Sequence, residues 1–291
     1  MIDLLLAFDD ESHLAGPLAG ALGVPLQGIE RHRFPDGESR LRLPPRLPPR
    51  VALLRGLQRP NEKLVELMIA TQAARELGAQ HLTLVCPYLA YMRQDMAFQP
   101  GEAVSQRHVG RALAAWFDTV ITVDPHLHRV ASMDEVLPGR RGIALSAAPL
   151  LGEWAARHAR RPLLLGPDAE AAPWVRRAAQ AQGLEHATCV KQRSGDREVR
   201  VALPERDYAG WEVVLIDDVA STGRTLAVTA EALLARGAAA VDVAVTHALF
   251  VDDAVAHLAR AGVRHVWSSD SVAHASNVVS LVPLLAEALR G

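Results

Sequence analysis

Val213–Leu226 reads VVLIDDVASTGRTL, an apolar run that closes on two adjacent carboxylates, Asp217 and Asp218. The chain then passes through Ser221, Thr222, Gly223, Arg224 and Thr225 into a segment of helical period. Val-Val-Leu-Ile is the continuous apolar pattern of a strand buried on both faces. Hydroxyls and a glycine at the start of the helix gather backbone N–H groups and the positive end of the helix dipole at one spot, which suits a phosphate monoester. The two carboxylates stand one step away, where the hydroxyls of a ribose need acceptors. A capped helix after a buried strand is the plainer alternative, but capping needs one such residue and not the whole string.

Outward from this stretch, apolar runs alternate with segments of helical period along the whole chain, the mark of an α/β protein with mainly parallel sheets flanked by helices. The strand candidates are Ile2–Phe8, Val51–Arg55, His81–Cys86, Thr119–Val123, Leu163–Leu165, Glu212–Ile216, Val241–Thr246 and Arg264–Trp267. Between them, Asn61–Leu77 reads as a helix with Asn61 as its N-cap, an apolar stripe of Leu64, Leu67, Met68 and Ile69, and Gly78 as its stop. AARELGAQHLTLV (Ala73–Val85) is similar to EALLARGAAAVDVAV (Glu231–Val245), which suggests two copies of one α/β unit. At 291 residues the length also suits two domains. The stretch LPGRRG (Leu137–Gly142) breaks the periodicity and places the boundary between 141 and 142, giving domains 1–141 and 142–291. Leu281–Leu289 reads as an amphipathic helix able to pack back on the first domain.

Composition narrows the class of function. A net charge of -2, from 31 basic and 33 acidic residues, speaks against nucleic acid as a partner. Cys86 and Cys189 each sit in an apolar run without metal-ligand spacing, as buried thiols of a cytoplasmic protein do. The opening MIDLLLAFDD carries Asp3 and reads as a strand, and no uncharged run approaches the ~18 residues of a membrane span. A cytoplasmic location with no membrane partner is the expectation.

Further stretches carry chemistry. Arg33–Glu38 is RFPDGE, Tyr91–Asp95 is YMRQD within PYLAYMRQDMAFQPGEAVS (Pro87–Ser105), and Thr119–His126 is TVITVDPH. Gly166-Pro167-Asp168 follows an apolar run, and Val190–Val199 is VKQRSGDREV. Each has a plain reading too: Pro35-Asp36-Gly37 and Ser194-Gly195-Asp196 are turn chemistry, Arg93 is a solvated cation, and a histidine such as His126 or His128 is more often structural than a ligand. Together with the 213–226 loop, and in this order, they resemble the ribose-phosphate diphosphokinases, also called phosphoribosyl diphosphate synthetases. The run QDMAFQPGE is similar to the shorter branch of that family, better known from archaea.

That resemblance implies two tandem phosphoribosyltransferase-type domains and a transfer of diphosphate from Mg-ATP to the C1 hydroxyl of ribose 5-phosphate. It implies an ATP segment of Phe34, Asp36, Glu38, Arg93, Gln94 and Asp95, with the aromatic ring stacked on adenine. It implies magnesium held by His126 and, at a second position near ribose, by Asp168. Asp217 and Asp218 would hold ribose, Ser221 to Thr225 its phosphate, and Lys191 and Arg193 the charge of the transition state. A homo-oligomer is expected. Met96 and Ala97 stand where many members carry cations, and Glu170 where a glycine is common. Those departures leave a catalytically silent regulatory homologue as one alternative, and the phosphate loop, which salvage enzymes share, leaves a nucleobase phosphoribosyltransferase as another.

Overall fold

Strands that are apolar at every position are stable only between two layers of helices, and this chain builds two such sheets. The computed structural model describes residues 1–194 and 198–291, with side chains everywhere except 191–200. The chain forms two units, residues 1–145 with 281–291, and residues 146–280.

In the first unit, β1 (Leu4–Phe8), β2 (Leu26–Arg33), β3 (Ser39–Arg42), β4 (Arg50–Leu54), β5 (His81–Cys86), β6 (Thr119–Val123) and β7 (Arg141–Leu145) form one sheet. Its order is β3-β2-β1-β4-β5-β6-β7. All neighbours are parallel except the β2–β3 hairpin. The helices are α1 (Ser12–Leu22), α2 (Pro60–Glu76), α3 (Ser105–Trp116) and the short α4 (Met133–Val136). Leu4, Leu6, Phe8, Val51, Leu53, Leu82 and Leu84 share one core with Leu67, Ala70 and Ala74 of α2 and Leu113 of α3. The alternate residues Leu5, Ala7, Ala52 and Leu54 are equally buried, as a sheet covered on both faces requires.

Helix α2 departs from its sequence reading. Leu67 points inward as expected, but Lys63 and Glu66 are buried beside it, while Met68 and Val65 are 42% and 51% exposed. Glu66 is drawn in by Arg55 at the end of β4, which is fully buried and needs carboxylates around it, and Lys63 by the buried Glu11, to which it donates at 3.4 Å. Asn61 does not cap the helix either. Pro60 opens it after Arg59, whose backbone is left-handed, and the Asn61 side chain accepts a hydrogen bond from the Tyr91 hydroxyl.

The second unit contains β8 (Pro162–Gly166), β9 (Glu185–Thr188), β10 (Val190–Ser194), β11 (Glu198–Ala202), β12 (Glu212–Ala220), β13 (Ala240–Ala248), β14 (Val263–Ser269) and β15 (Asn277–Val279). Six of them form a parallel sheet in the order β15-β14-β13-β12-β8-β9, and β10 and β11 form a separate antiparallel ribbon. Helices α5 (Ala148–His158), α6 (Ala172–Gln180), α7 (Arg224–Ala235) and α8 (Ala254–Arg260) cover the sheet. The repeat seen in the sequence is β4-α2-β5 in one unit and β12-α7-β13 in the other, with Gly78 and Gly237 at positive φ after each helix.

The parting lies after Leu145 because 141–145 pairs with β6, so the first sheet runs past the break read between 141 and 142. The last helix, α9 (Val282–Arg290), belongs to the first unit, where it lies against α1 and the Arg290 guanidinium donates to the Ala21 carbonyl.

Cys86 and Cys189 are fully buried and free. Burial pushes both thiols up, Cys189 to about 12, which removes the reactive thiolate at neutral pH. Neither is expected to react with a thiol reagent in the native protein, and both should react after denaturation. Absorbance titration with an aromatic disulfide reads this directly.

Candidate active site

In the second unit β8 leads to β9 on one side of the sheet and β12 leads to β13 on the other. The loops leaving β8 and β12 diverge, and such a switch point opens a crevice beyond the carboxyl ends of the strands. Asp168 follows β8, and Asp217 and Asp218 lie near the end of β12. Burial, then the neighbouring Asp218 and Asp168 charges, hold the Asp217 carboxyl well above the usual range. Three carboxylates close enough to repel one another are a hard, oxygen-only donor set, which fits a divalent cation and sugar hydroxyls. Asp168 also serves locally: its Oδ1 accepts from the N–H groups of Glu170 at 3.0 Å and Ala171 at 3.3 Å. Glu170 thus contributes its backbone to the turn while its side chain stays exposed.

The loop after β12 enters α7 through Gly223, whose φ is 69°. No side chain caps this helix among the described residues, so the capped-helix alternative fails and the first-turn N–H groups face outward for an anion. A side chain at 223 would be strained by the backbone alone and would bring its Cβ to 3.4 Å from Leu258 Cγ and 3.6 Å from the Ala254 carbonyl oxygen. Thr222 and Arg224 line a cavity of about 200 Å3 with Asp252 and His257. Ser221 and Thr225 are half-buried at either end of the loop.

The first unit presents three loops. The turn between β2 and β3 carries Phe34, 39% exposed, with exposed Asp36 and Glu38. It closes through Phe34 N–H to the Glu38 carbonyl at 2.8 Å, Gly37 N–H to the Phe34 carbonyl at 2.9 Å and Glu38 N–H to Asp36 Oδ1 at 3.1 Å. The turn expected at Pro35-Asp36-Gly37 is therefore present, and it is what projects the Phe34 ring. After β5, Tyr91 takes a left-handed φ of 66°, a strained conformation for an aromatic residue. It leaves Arg93 exposed, while Gln94 Nε2 donates to the Met96 carbonyl at 2.9 Å. After β6, buried Asp124 takes a φ of 36°, and His126 meets His128 edge to face at 4.0 Å.

Asp95 is placed differently from a ligand contact. It is buried and accepts both 2.8 Å and 3.0 Å bonds from Arg129 Nη1, so it ties the Tyr91–Asp95 segment to the loop of His126. Arg129 was not singled out in the sequence; an arginine three residues beyond a candidate ligand histidine was the available signal. Lys191 and Arg193 occupy β10, where Lys191 pairs with Val201 and Arg193 with Val199. Their side chains lie outside the described residues.

Residues 4–116 match the model of the N-terminal domain of ribose phosphate pyrophosphokinase, and residues 146–281 match that of the phosphoribosyl transferase domain. The ribose-phosphate pyrophosphokinase of Methanopyrus kandleri is 37% identical over 98% of this chain and 98% of its own length. That of Halobacterium salinarum is 34% identical over 98% and 100%. The crystal structure of phosphoribosylpyrophosphate synthetase from Mycobacterium smegmatis superposes with a TM-score of 0.83 at 25% identity, covering 99% of this chain and 98% of that one. Since the likeness runs through both units and nearly end to end, this chain belongs to the ribose phosphate pyrophosphokinase family.

Proposed function

We propose that the protein transfers the β,γ-diphosphoryl group of ATP to the C1 hydroxyl of ribose 5-phosphate, giving 5-phosphoribosyl 1-diphosphate and AMP. The observation that carries this reading is the uncapped α7 loop beside the Asp217–Asp218 pair, a site for a phosphorylated sugar, in a chain whose near-full-length relatives bear that enzyme's name. The C1 oxygen forms a bond to the β-phosphorus, and the bond from that phosphorus to the α,β-bridging oxygen breaks. The hydroxyl proton is lost to solvent, and the bridging oxygen leaves on AMP.

Such a transfer needs positioning and charge neutralisation rather than a covalent intermediate. Thr222 to Thr225 would take the 5-phosphate through first-turn N–H groups and hydroxyls, and Asp217 and Asp218 the ribose hydroxyls. Phe34 offers a ring for adenine, Asp36 and Glu38 acceptors for the nucleoside, and Arg93 a planar fork for polyphosphate. His126 would hold the magnesium of Mg-ATP and Asp168 a second magnesium near ribose, where the ion's chemistry would be to neutralise phosphate oxygens. Lys191 and Arg193 would add positive charge at the transferring group. The working form is a cytoplasmic homo-oligomer in this reading: the buried free thiols suit a reducing compartment, and the exposed Val65 and Met68 supply apolar surface of the kind that assembly covers.

Phosphorus NMR of the protein with Mg-ATP and ribose 5-phosphate tests the proposal. AMP and a C1-linked diphosphate are expected to appear together. Binding of ATP with no turnover would favour a silent homologue, and consumption of supplied phosphoribosyl diphosphate with a nucleobase would favour a salvage transferase.

A further inference from the structure

Beneath the first unit's own switch point, between β1 and β4, lies a cluster of buried charge. Arg55 and Glu66 are both buried and hydrogen-bonded to each other, and Arg55 also meets Asp10. Buried Glu11 accepts from Gly56 N–H at 2.9 Å and from Lys63 Nζ at 3.4 Å. The second unit carries its phosphate loop at the equivalent place in the repeat. Here the need for anions is met from within the chain.

Glu66 has a second partner. Its Oε1 accepts from Arg31 Nη1 at 3.0 Å, and Arg31 Nη2 reaches Asp9 Oδ1 at 2.9 Å. Arg31 lies on β2, two residues before Arg33, and Arg33 pairs with Glu62, one turn earlier than Glu66 on α2. The spacing is a geometric match. Four residues of helix rise about 6 Å, and two residues of strand span about 6.6 Å, so two carboxylates on α2 meet two guanidinium groups on β2 in register. One residue beyond Arg33 the strand becomes the Phe34–Glu38 turn. The first turn of α2 also holds the second nucleotide segment, through Asn61 and the Tyr91 hydroxyl.

We infer that Glu66, acting through Arg31, is a positioning residue that fixes the Phe34–Glu38 turn relative to Tyr91–Asp95, so that one helix sets the spacing of both halves of the nucleotide site. The inference rests on the assignment of ATP to these segments. It gives a reason for burying an ion pair where an apolar pair of equal volume would be as stable or more so: directional hydrogen bonds fix a register that apolar contact leaves free to slide.

Arg31→Met tests it, because it frees β2 from Glu66 while leaving the buried Arg55–Glu66 pair intact. The KM for ATP is expected to rise about tenfold, with kcat and the KM for ribose 5-phosphate within about twofold, and Arg31→Lys should recover part of the loss. Glu62→Gln, on the exposed rung where folding is not at stake, should raise the KM for ATP about threefold. A folded Arg31→Met with unchanged KM for ATP overturns the inference, as does an equal rise for both substrates or a loss confined to kcat. If Arg31→Met does not fold, an unchanged KM in Glu62→Gln overturns it. The Kd for ATP by titration calorimetry is read alongside without turnover, so a wild-type protein that binds ATP but makes no product would strike the proposed reaction and leave the clasp tested by Kd alone.

Discussion

Lys191→Ala is expected to slow formation of phosphoribosyl diphosphate by about a thousandfold while leaving the Kd for ATP within about threefold of wild type, the pattern of a cation used mainly in the transition state. In diphosphoryl transfer negative charge builds on the α,β-bridging oxygen as its bond to the β-phosphorus breaks, and a lysine brought to that position stabilises the change more than the ground state. Lys191 and Arg193 stand two apart in β10. Single-turnover kinetics with labelled ATP, paired with calorimetric binding, separates the two effects. A rate within tenfold of wild type would remove Lys191 from the mechanism and pass the role to Arg193.

Gly223→Val is expected to raise the KM for ribose 5-phosphate about a hundredfold, equivalent to about 2.7 kcal/mol of lost binding, and to leave the Kd for ATP unchanged. Gly223 is the N-cap of α7 at a φ of 69°, a conformation that costs a β-branched residue on the order of 1–3 kcal/mol. The new Cβ would lie in ordinary contact with Leu258 and the Ala254 carbonyl, so the strain comes from the backbone. Relieving that strain would turn the first N–H groups of α7 from the orientation that the proposed phosphate site requires. Circular dichroism verifies the fold, and steady-state kinetics with each substrate varied in turn reads the effect. An unchanged KM for the sugar phosphate would mean that the phosphate sits elsewhere.

The sheets show why some elements were visible in the sequence and others were not. His81–Cys86 and Thr119–Val123 were read at their observed limits, because a strand buried on both faces leaves a run of apolar and β-branched residues with no acid, lysine or arginine in it. β2 is LQGIERHR, with Ile29 its one buried residue, and such a strand leaves no run to find. β7 and β9 were missed for the same reason, both lying at sheet edges. Helix α2 misled its reading because hydrophobic periodicity assumes that charge faces water. Buried Arg55 reverses that assumption for Glu66, and buried Glu11 for Lys63.

The candidate site divides along the same line. Motif residues joined by a short stretch of chain, such as Asp217 to Thr225 or Phe34 to Glu38, were legible because one strand end and one turn position them all. That Asp95 is held by Arg129, that Asp217 feels Asp168 across the β8–β12 crevice, and that Glu66 reaches Arg31 could not be read. By itself the sequence determined the α/β class, the family and the local loops, because these depend on spacing within a few residues. Only the tertiary structure decided which charges are buried together. A buried charge takes its partners from whatever helices, strands and loops the fold sets side by side, and those lie 34 to 49 residues apart in these cases.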